Sequence, residues 1–341
     1  MTSENQFQIR IETLQPKDIS NLIDCVRRCY GNSYPNKMMY DSEKIKVAIE
    51  SRIMHSVVAL NQNGRVIGHC ALNFNGTQNA TPEAGKMFVD PDYRGHHIAE
   101  SIAQKRLEIA KDLDLLGFWT ECVTNHPYSQ HEMIHFGAKE TGLTLGMDDA
   151  SAMVMQGIES HNRSRMSLLT FYLSLKSRSQ KIFLPEAHLG FAQELAIAIG
   201  IDRVLISSDK RGEGITKASF RVDHFDKIAF ITINHIGDDF LGFIENTLIQ
   251  LESEQLASVY LDLPIHQEAA AFAYDALEKK GFFWSAWLPH YLVEGDILRL
   301  QKLNQEINFD EIVTARPEGE KIKKYIQAQL QKVASKSVRH Q

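Results

Sequence analysis

The stretch Phe88-Val89-Asp90-Pro91-Asp92-Tyr93-Arg94-Gly95-His96-His97-Ile98-Ala99 constrains this chain more than any other. Residues 86–90 are short and apolar enough for a strand. Asp90-Pro91-Asp92 is turn chemistry, because proline fixes φ and a short carboxylate bonds the local backbone. From Ile98 the period becomes helical, with Ile98, Ile102, Ile109, Leu113 and Leu116 on one face. A strand feeding a helix through a tight turn leaves the first helical N–H groups unpaired beside the positive end of the dipole, which is a cradle for phosphate. Arg94 adds a fork-shaped cation at the mouth.

These residues resemble the pyrophosphate loop of the GNAT superfamily of acetyl-CoA-dependent N-acyltransferases. Its pattern is Arg or Gln, two residues, Gly, one residue, then Gly or Ala. Arg94 and Ala99 match, and His97 stands where the central Gly is expected. A Cβ and an imidazole there crowd a pyrophosphate unless the ring turns outward; Gly95 partly restores the match. The resemblance implies that the pantetheine arm pairs with the backbone of Phe88 and Val89. It further implies that the pyrophosphate sits on the N–H groups of Gly95, His96, His97, Ile98 and Ala99, and that Asn125 touches the arm. Acetyl-CoA as co-substrate, an amine acceptor as partner and no metal follow from the same likeness.

The order of elements extends it. Residues 7–14 alternate as a strand, and Pro16 opens a helix with Ile19, Leu22, Ile23, Val26 and Tyr30 inward. Asp41 or Ser42 caps a second helix. Two strands meet at Asn61-Gln62-Asn63-Gly64, a hairpin signal. After the loop and its helix come a strand at 118–124, a short helix opened by Asn125 and stopped by Gly137, and a closing strand pair split by a polar insertion at 148–165. The second half repeats this plan, but "INHIGDDFLGF" puts two carboxylates where a phosphate cradle needs cations. The expected fold is therefore α/β (α+β), a mixed and mostly antiparallel central sheet flanked by helices, in two tandem copies. Residues 1–182 form the coenzyme-binding copy; residues 183–341 form a degenerate copy that ends in a helix, and this second domain as a whole shapes the acceptor cleft or an oligomer interface, a homodimer included.

Length and composition agree. A chain of 341 residues holds about two domains. The formal charge of −6 argues against a general nucleic-acid binder and suits a cationic amine. Cys25, Cys29, Cys70 and Cys122 form no CxxC pair, which points to reduced thiols inside a cell. The polar first residues show no signal peptide and no apolar run reaches membrane-spanning length, so a cytoplasmic protein without a membrane partner is expected.

Acyl transfer needs a proton acceptor for the amine and a proton for the leaving thiolate. Glu121 is the candidate general base, with Glu83 and His126 as further options. The resemblance implies a Tyr four residues before Gly137, where Met133 stands; Tyr128, one turn earlier, is the candidate acid. Two other classes stay open. His131-Glu132-Met133-Ile134-His135 is a literal H-E-x-x-H, the spacing of a zinc metallopeptidase, but its helix is short and the third ligand would have to be Glu159. A non-catalytic coenzyme A sensor fits His97 and Met133.

Overall fold

Apolar alternation and helical periodicity lay out the first half. The structure, a computed structural model, describes residues 8–74, 80–149 and 164–338. Strand β1 (Arg10–Thr13) leads through Pro16 into α1 (Ile19–Tyr30), which buries Ile19, Leu22, Ile23, Val26 and Tyr30. Asp41 caps α2 (Ser42–Glu50), accepting from Lys44 N at 3.1 Å. Strands β2 (Met54–Leu60) and β3 (Val66–Asn73) pair around the Asn61–Gly64 turn, whose Asn61 Oδ1 accepts from Asn63 N and Arg65 N. Then come β4 (Glu83–Val89), α3 (Ile98–Asp112) and β5 (Gly117–Val123). The strands lie in the order β1-β2-β3-β4-β5. The first four are antiparallel, and β5 runs parallel to β4. Helices α1 and α2 bury one face of this sheet with Val58, Leu60, Ala71 and Phe88; α3 buries the other with Val57, Ala59, Ile67 and Cys70.

The chain divides into two compact units between Thr120 and Glu121, inside β5. This is a division by packing; the repeat at 1–182 and 183–341 is a division by sequence pattern. The second unit contains α4 (Tyr128–His135), β6 (Lys139–Asp148), β7 (Met166–Ser174), β8 (Gln180–Phe183), α5 (Glu186–Ile199) and β9 (Arg203–Ile206). It continues with β10 (Lys217–Asp223), β11 (Ile228–His235), α6 (Phe240–Glu252), β12 (Ser258–Pro264), α7 (Ala270–Lys279), β13 (Phe283–Leu288), β14 (Ile297–Leu303) and α8 (Pro317–Val338).

Its sheet runs β7-β6-β13-β14-β12-β11-β10, with β8 and β9 a separate parallel pair. The parallel neighbours β11 and β12 match β4 and β5, and β12-β14-β13 repeats the order β5-β7-β6. The fold is thus the mixed, mostly antiparallel sheet of two tandem copies. Within the second unit β6 meets β13 antiparallel, Gly142 opposite Ala286. A Cβ on Gly142 would lie 2.2 Å from Ala286 Cα, so only glycine lets the strands meet there.

Three expectations need adjusting. Helix α3 ends at Asp112, so Leu113 and Leu116 lie beyond it and Leu113 is exposed. Helix α4 starts at Tyr128, leaving Asn125 in the bend before it. The insertion expected at 148–165 falls almost wholly outside the described residues, as do Phe7 and Glu159. Among the described residues no helix is long and apolar enough to cross a membrane.

Candidate functional site

Strand β4 is not regular. His69 of β3 faces Phe88 while Ala71 faces Gly85, so β4 carries an extra residue, and Lys86 sits in the left-handed region at φ 54°. Such a bulge turns the following backbone relative to the ladder. The Lys86 carbonyl accepts from Nδ1 of buried His69 at 2.8 Å, and Nε2 of the same ring lies 2.6 Å from Ser56 Oγ. Burial pushes the His69 pKa down to about 3, so the ring is neutral and has one N–H. A carbonyl can only accept; Nδ1 therefore carries that hydrogen and Nε2 accepts from Ser56. His69 also stacks on Phe88 at 5.1 Å, and Tyr30 and Tyr34 meet the Phe88 ring edge-on. With its side chain locked in the core, Phe88 has only backbone to offer at the edge toward β5. Among the described residues β4 and β5 are in register only at Glu83 and Trp119.

Beyond Val89 the loop is held from beneath. Asp90, 1% exposed, accepts from Arg28 Nε at 2.6 Å and Arg65 NH2 at 3.1 Å on one oxygen and from Asp92 N on the other. Arg28 also donates to Val66 O, and Tyr93 OH accepts from Asn61 Nδ2. The loop is therefore tied to α1 and to the β2–β3 turn. Gly95 at φ 80° and His97 at φ 56° then give it two left-handed residues. The His97 side chain is 85% exposed with Nδ1 3.2 Å from the Glu100 carboxylate, so the ring does turn outward. No side chain caps α3, and the first-turn N–H groups of Ile98 and Ala99 have no carbonyl within the helix. Arg94 Nε donates to Val89 O at 3.4 Å, keeping the cation at the strand end.

In the second unit Glu121, on the last part of β5, receives Arg299 NH1 at 3.1 Å and Thr144 Oγ1 at 3.5 Å on Oε1. Asn125 is half-buried ahead of α4. Gln130 fastens α4 with bonds to Val123 O, Val313 O and Ala315 N. Tyr128 is 65% exposed, its ring 4.9 Å from that of His126, and Met133 is buried. Burial also lowers the His126 pKa. His131 and His135 are both exposed on the eight-residue α4, and among the described residues no group of three or more His, Cys, Asp or Glu could hold a metal.

The turn into α6, the counterpart of the turn into α3, is closed by the chain itself. Gly237 N donates to Thr216 Oγ1, Asp238 N to Gly214 O, and Thr216 N to Asp239 Oδ1. Gln267, just after β12, takes Ile236 N on Oε1 and gives Nε2 to Asn234 O. The packing is so tight that a Cβ on Gly237 would lie 2.4 Å from Gly214 O. The groups a strand end would offer an incoming amide are thus taken by one side-chain amide.

Sequence reasoning placed the loop and its helix but missed His69, the anchoring of Asp90 and the partner of Glu121. A histidine inside an apolar strand was the only hint of the first.

Residues 19–137 match the model of the Acetyltransferase (GNAT) family. No curated protein sequence matches the chain. Among solved structures it is similar to mutant forms of the spermidine/spermine N-acetyltransferase of Vibrio cholerae, at 15% identity and a TM-score of 0.38 over 49% of this chain and 95% of that one. An N-acetyltransferase from Staphylococcus aureus is similar at 16% identity and TM-score 0.40, over 50% and 99% of the two chains. A putative acetyltransferase from Acinetobacter baylyi is similar at 11% and 0.41, over 50% and 94%.

Proposed function

We propose that this chain, whose residues 19–137 are an acetyltransferase domain of the GNAT family, transfers an acetyl group from acetyl-CoA to an amine. The observation that carries the reading is the turn into α3: an uncapped helix start, reached through two left-handed residues, with Arg94 at its mouth and a bulged strand before it. These features fit the coenzyme. The pyrophosphate would rest on the N–H groups of Gly95, His96, His97, Ile98 and Ala99 with Arg94, and the pantetheine arm on the backbone of Phe88 and Val89, with Asn125 toward the arm. When bound, the thioester supplies the activated acetyl carbon.

The chain's own groups then manage protons. Glu121 takes the amine's proton, and Tyr128 gives one to the departing sulfur. Arg299 NH1, 3.1 Å from Glu121 Oε1, is a charge partner of the kind that favours a carboxylate, the form a base starts in. We assign coenzyme binding to residues 1–182 and none to residues 183–341, which the self-closed turn into α6 supports. A second reading, a coenzyme A sensor without turnover, is favoured by the buried Met133 and the exposed Tyr128; product formation separates the two.

The test is calorimetric titration of acetyl-CoA into wild type and Arg94→Ala. Loss of a charge-assisted hydrogen bond weakens binding by about 1.5–3 kcal/mol, roughly ten- to a hundredfold. Equal affinities would remove the loop from coenzyme binding. Incubation with a panel of amines and mass detection of acetylated product tests the transfer itself.

A further inference from the structure

Glu121 is the fifth residue of β5 and Asp262 the fifth residue of β12, so the repeat puts a carboxylate at the same place on both strands. Their partners differ. Across the β6–β13 pairing, Gly142 faces Ala286; Thr170 of β7 stands opposite Gly142, and Arg299 of β14 stands opposite Ala286. Where one hairpin has a threonine the other has an arginine, and this arginine serves both carboxylates. Nε and NH2 of Arg299 grip Asp262 as a fork at 2.7 and 3.1 Å, while NH1 reaches Glu121 at 3.1 Å. All three side chains are nearly out of solvent, at 6%, 8% and 13% exposure for Arg299, Asp262 and Glu121.

We infer that Arg299 is a positioning residue for Glu121 and that Asp262, by holding half of that arginine's charge, sets how basic Glu121 is; the inference rests on the role proposed for Glu121 above. A forked pair fixes the guanidinium plane far better than a single contact. Asp262 therefore aims NH1, and Glu121 takes the direction left over. The cluster carries two negative charges against one positive. Arg299 favours the ionised form of Glu121, and Asp262 opposes it through the shared cation. An undivided arginine would make Glu121 a weak base; an absent one would leave two buried carboxylates in repulsion.

The other charged and titratable groups nearby are Tyr260 on β12, Asp148 at the end of β6, Arg165 ahead of β7, Tyr291 ahead of β14 and Arg221 on β10. The Tyr260 phenol lies within electrostatic reach of Arg165, Asp148 and Glu121, and Tyr291 within that of Arg299. Arg221 and Arg299 share the ring of Phe230. Burial and the neighbouring Asp226 push Asp148 up to about 6, so a limb in that range has to be assigned by mutation.

The experiment compares the pH dependence of kcat/KM for an accepted amine in wild type, Glu121→Gln and Asp262→Asn. Isotope-labelled glutamate NMR follows the Glu121 carboxyl in the same full-length proteins without turnover. The wild-type acid limb should vanish in Glu121→Gln. In Asp262→Asn it should move down by about one pH unit, with KM for acetyl-CoA unchanged, because Glu121 then has the cation to itself. Arg299→Lys, which cannot fork, should move the carboxyl titration upward. If Glu121 titrates at the same pH in wild type, Asp262→Asn and Arg299→Lys, the inference is overturned whatever the activity. A wild type that acetylates nothing would sink the proposed function alone, since the NMR titration still reads the arginine's division.

Discussion

At the turn into α3 no side chain caps the helix, and the strand before it carries a bulge in its pairing with β3. Helix α6 likewise starts without a side-chain cap, but in the turn before it Thr216 and Gln267 take the N–H groups of Gly237 and Ile236, and Asp239 ties back to Thr216 N. Both turns follow one strand-to-helix plan. What separates them is where the stabilising contacts lie. The first is braced from below, through Asp90 and His69, so that its upper surface stays available to a ligand. The second is stitched across its upper surface. On the proposed reading, the second copy keeps the fold without the ligand site because side chains take backbone groups a ligand would otherwise bind.

The brace is the easiest part to break. Asp90→Ala removes the buried carboxylate that the part-exposed Arg28 and Arg65 both bond; losing such charge-assisted hydrogen bonds costs about 1.5–3 kcal/mol. Urea unfolding should show that loss together with weaker acetyl-CoA binding, and a loss under about 1 kcal/mol would mean that the loop stands without its anchor.

Acid tests the other brace. The folded pKa of His69 lies near 3, below the ordinary histidine value of 6.5, so the unfolded chain binds a proton that the folded chain refuses. The contribution is present above pH 6.5 and is lost as pH falls toward 3, at up to about 1.4 kcal/mol per pH unit. In the second unit His188 and His290, each lowered to about 4, respond in the same direction. His69→Gln should reduce the acid-side slope by one proton, read from urea midpoints between pH 7 and 5; an unchanged slope would deny that the neutral ring is a folding requirement.

Gln267→Ala probes the stitched turn. It strands Ile236 N–H, while the exposed Asn234 C=O turns to water, and should cost about 1–3 kcal/mol of the second unit's stability. It should bring no coenzyme binding, since Gly214 and Thr216 still close the turn. Coenzyme protecting this variant's second unit against heat would show that one glutamine separates the two turns.

The smallest effect belongs to His97→Gly. A non-glycine residue in the left-handed region costs about 1–2 kcal/mol, partly offset by glycine's freedom when unfolded. A net gain of about 1 kcal/mol or less is expected, with acetyl-CoA affinity equal or better. A tenfold loss of affinity would instead make the imidazole a binding group.

Much of this was legible because it is local. The Asn61–Gly64 turn, the buried stripe of α1 and the strand-turn-helix at Asp90 each depend on residues a few positions apart. Carboxylates before α6 also announced a turn unlike the first. Asp90, however, reads as a turn residue, and nothing in its neighbourhood names Arg28 or Arg65. Glu121 and Arg299 come from strands 178 positions apart, which no periodicity connects. Residues 209–214 have loop composition, but composition does not say that the loop lies across a helix start. The short strands β8 and β9 have four residues each, too few for alternation to register.

The meeting of Gly142 with Ala286 also has a consequence in time. The two residues lie roughly 140 positions apart, so a ribosome adding 5–20 residues per second makes the second on the order of ten seconds after the first. Until β13 emerges, this edge of β6 presents bare N–H and C=O groups to any passing strand. Slower synthesis lengthens that exposure and faster synthesis shortens it, while the finished protein's stability does not enter. Yield of folded chain should therefore follow the rate of translation between β6 and β13, a property written in the codons and not in the amino acids.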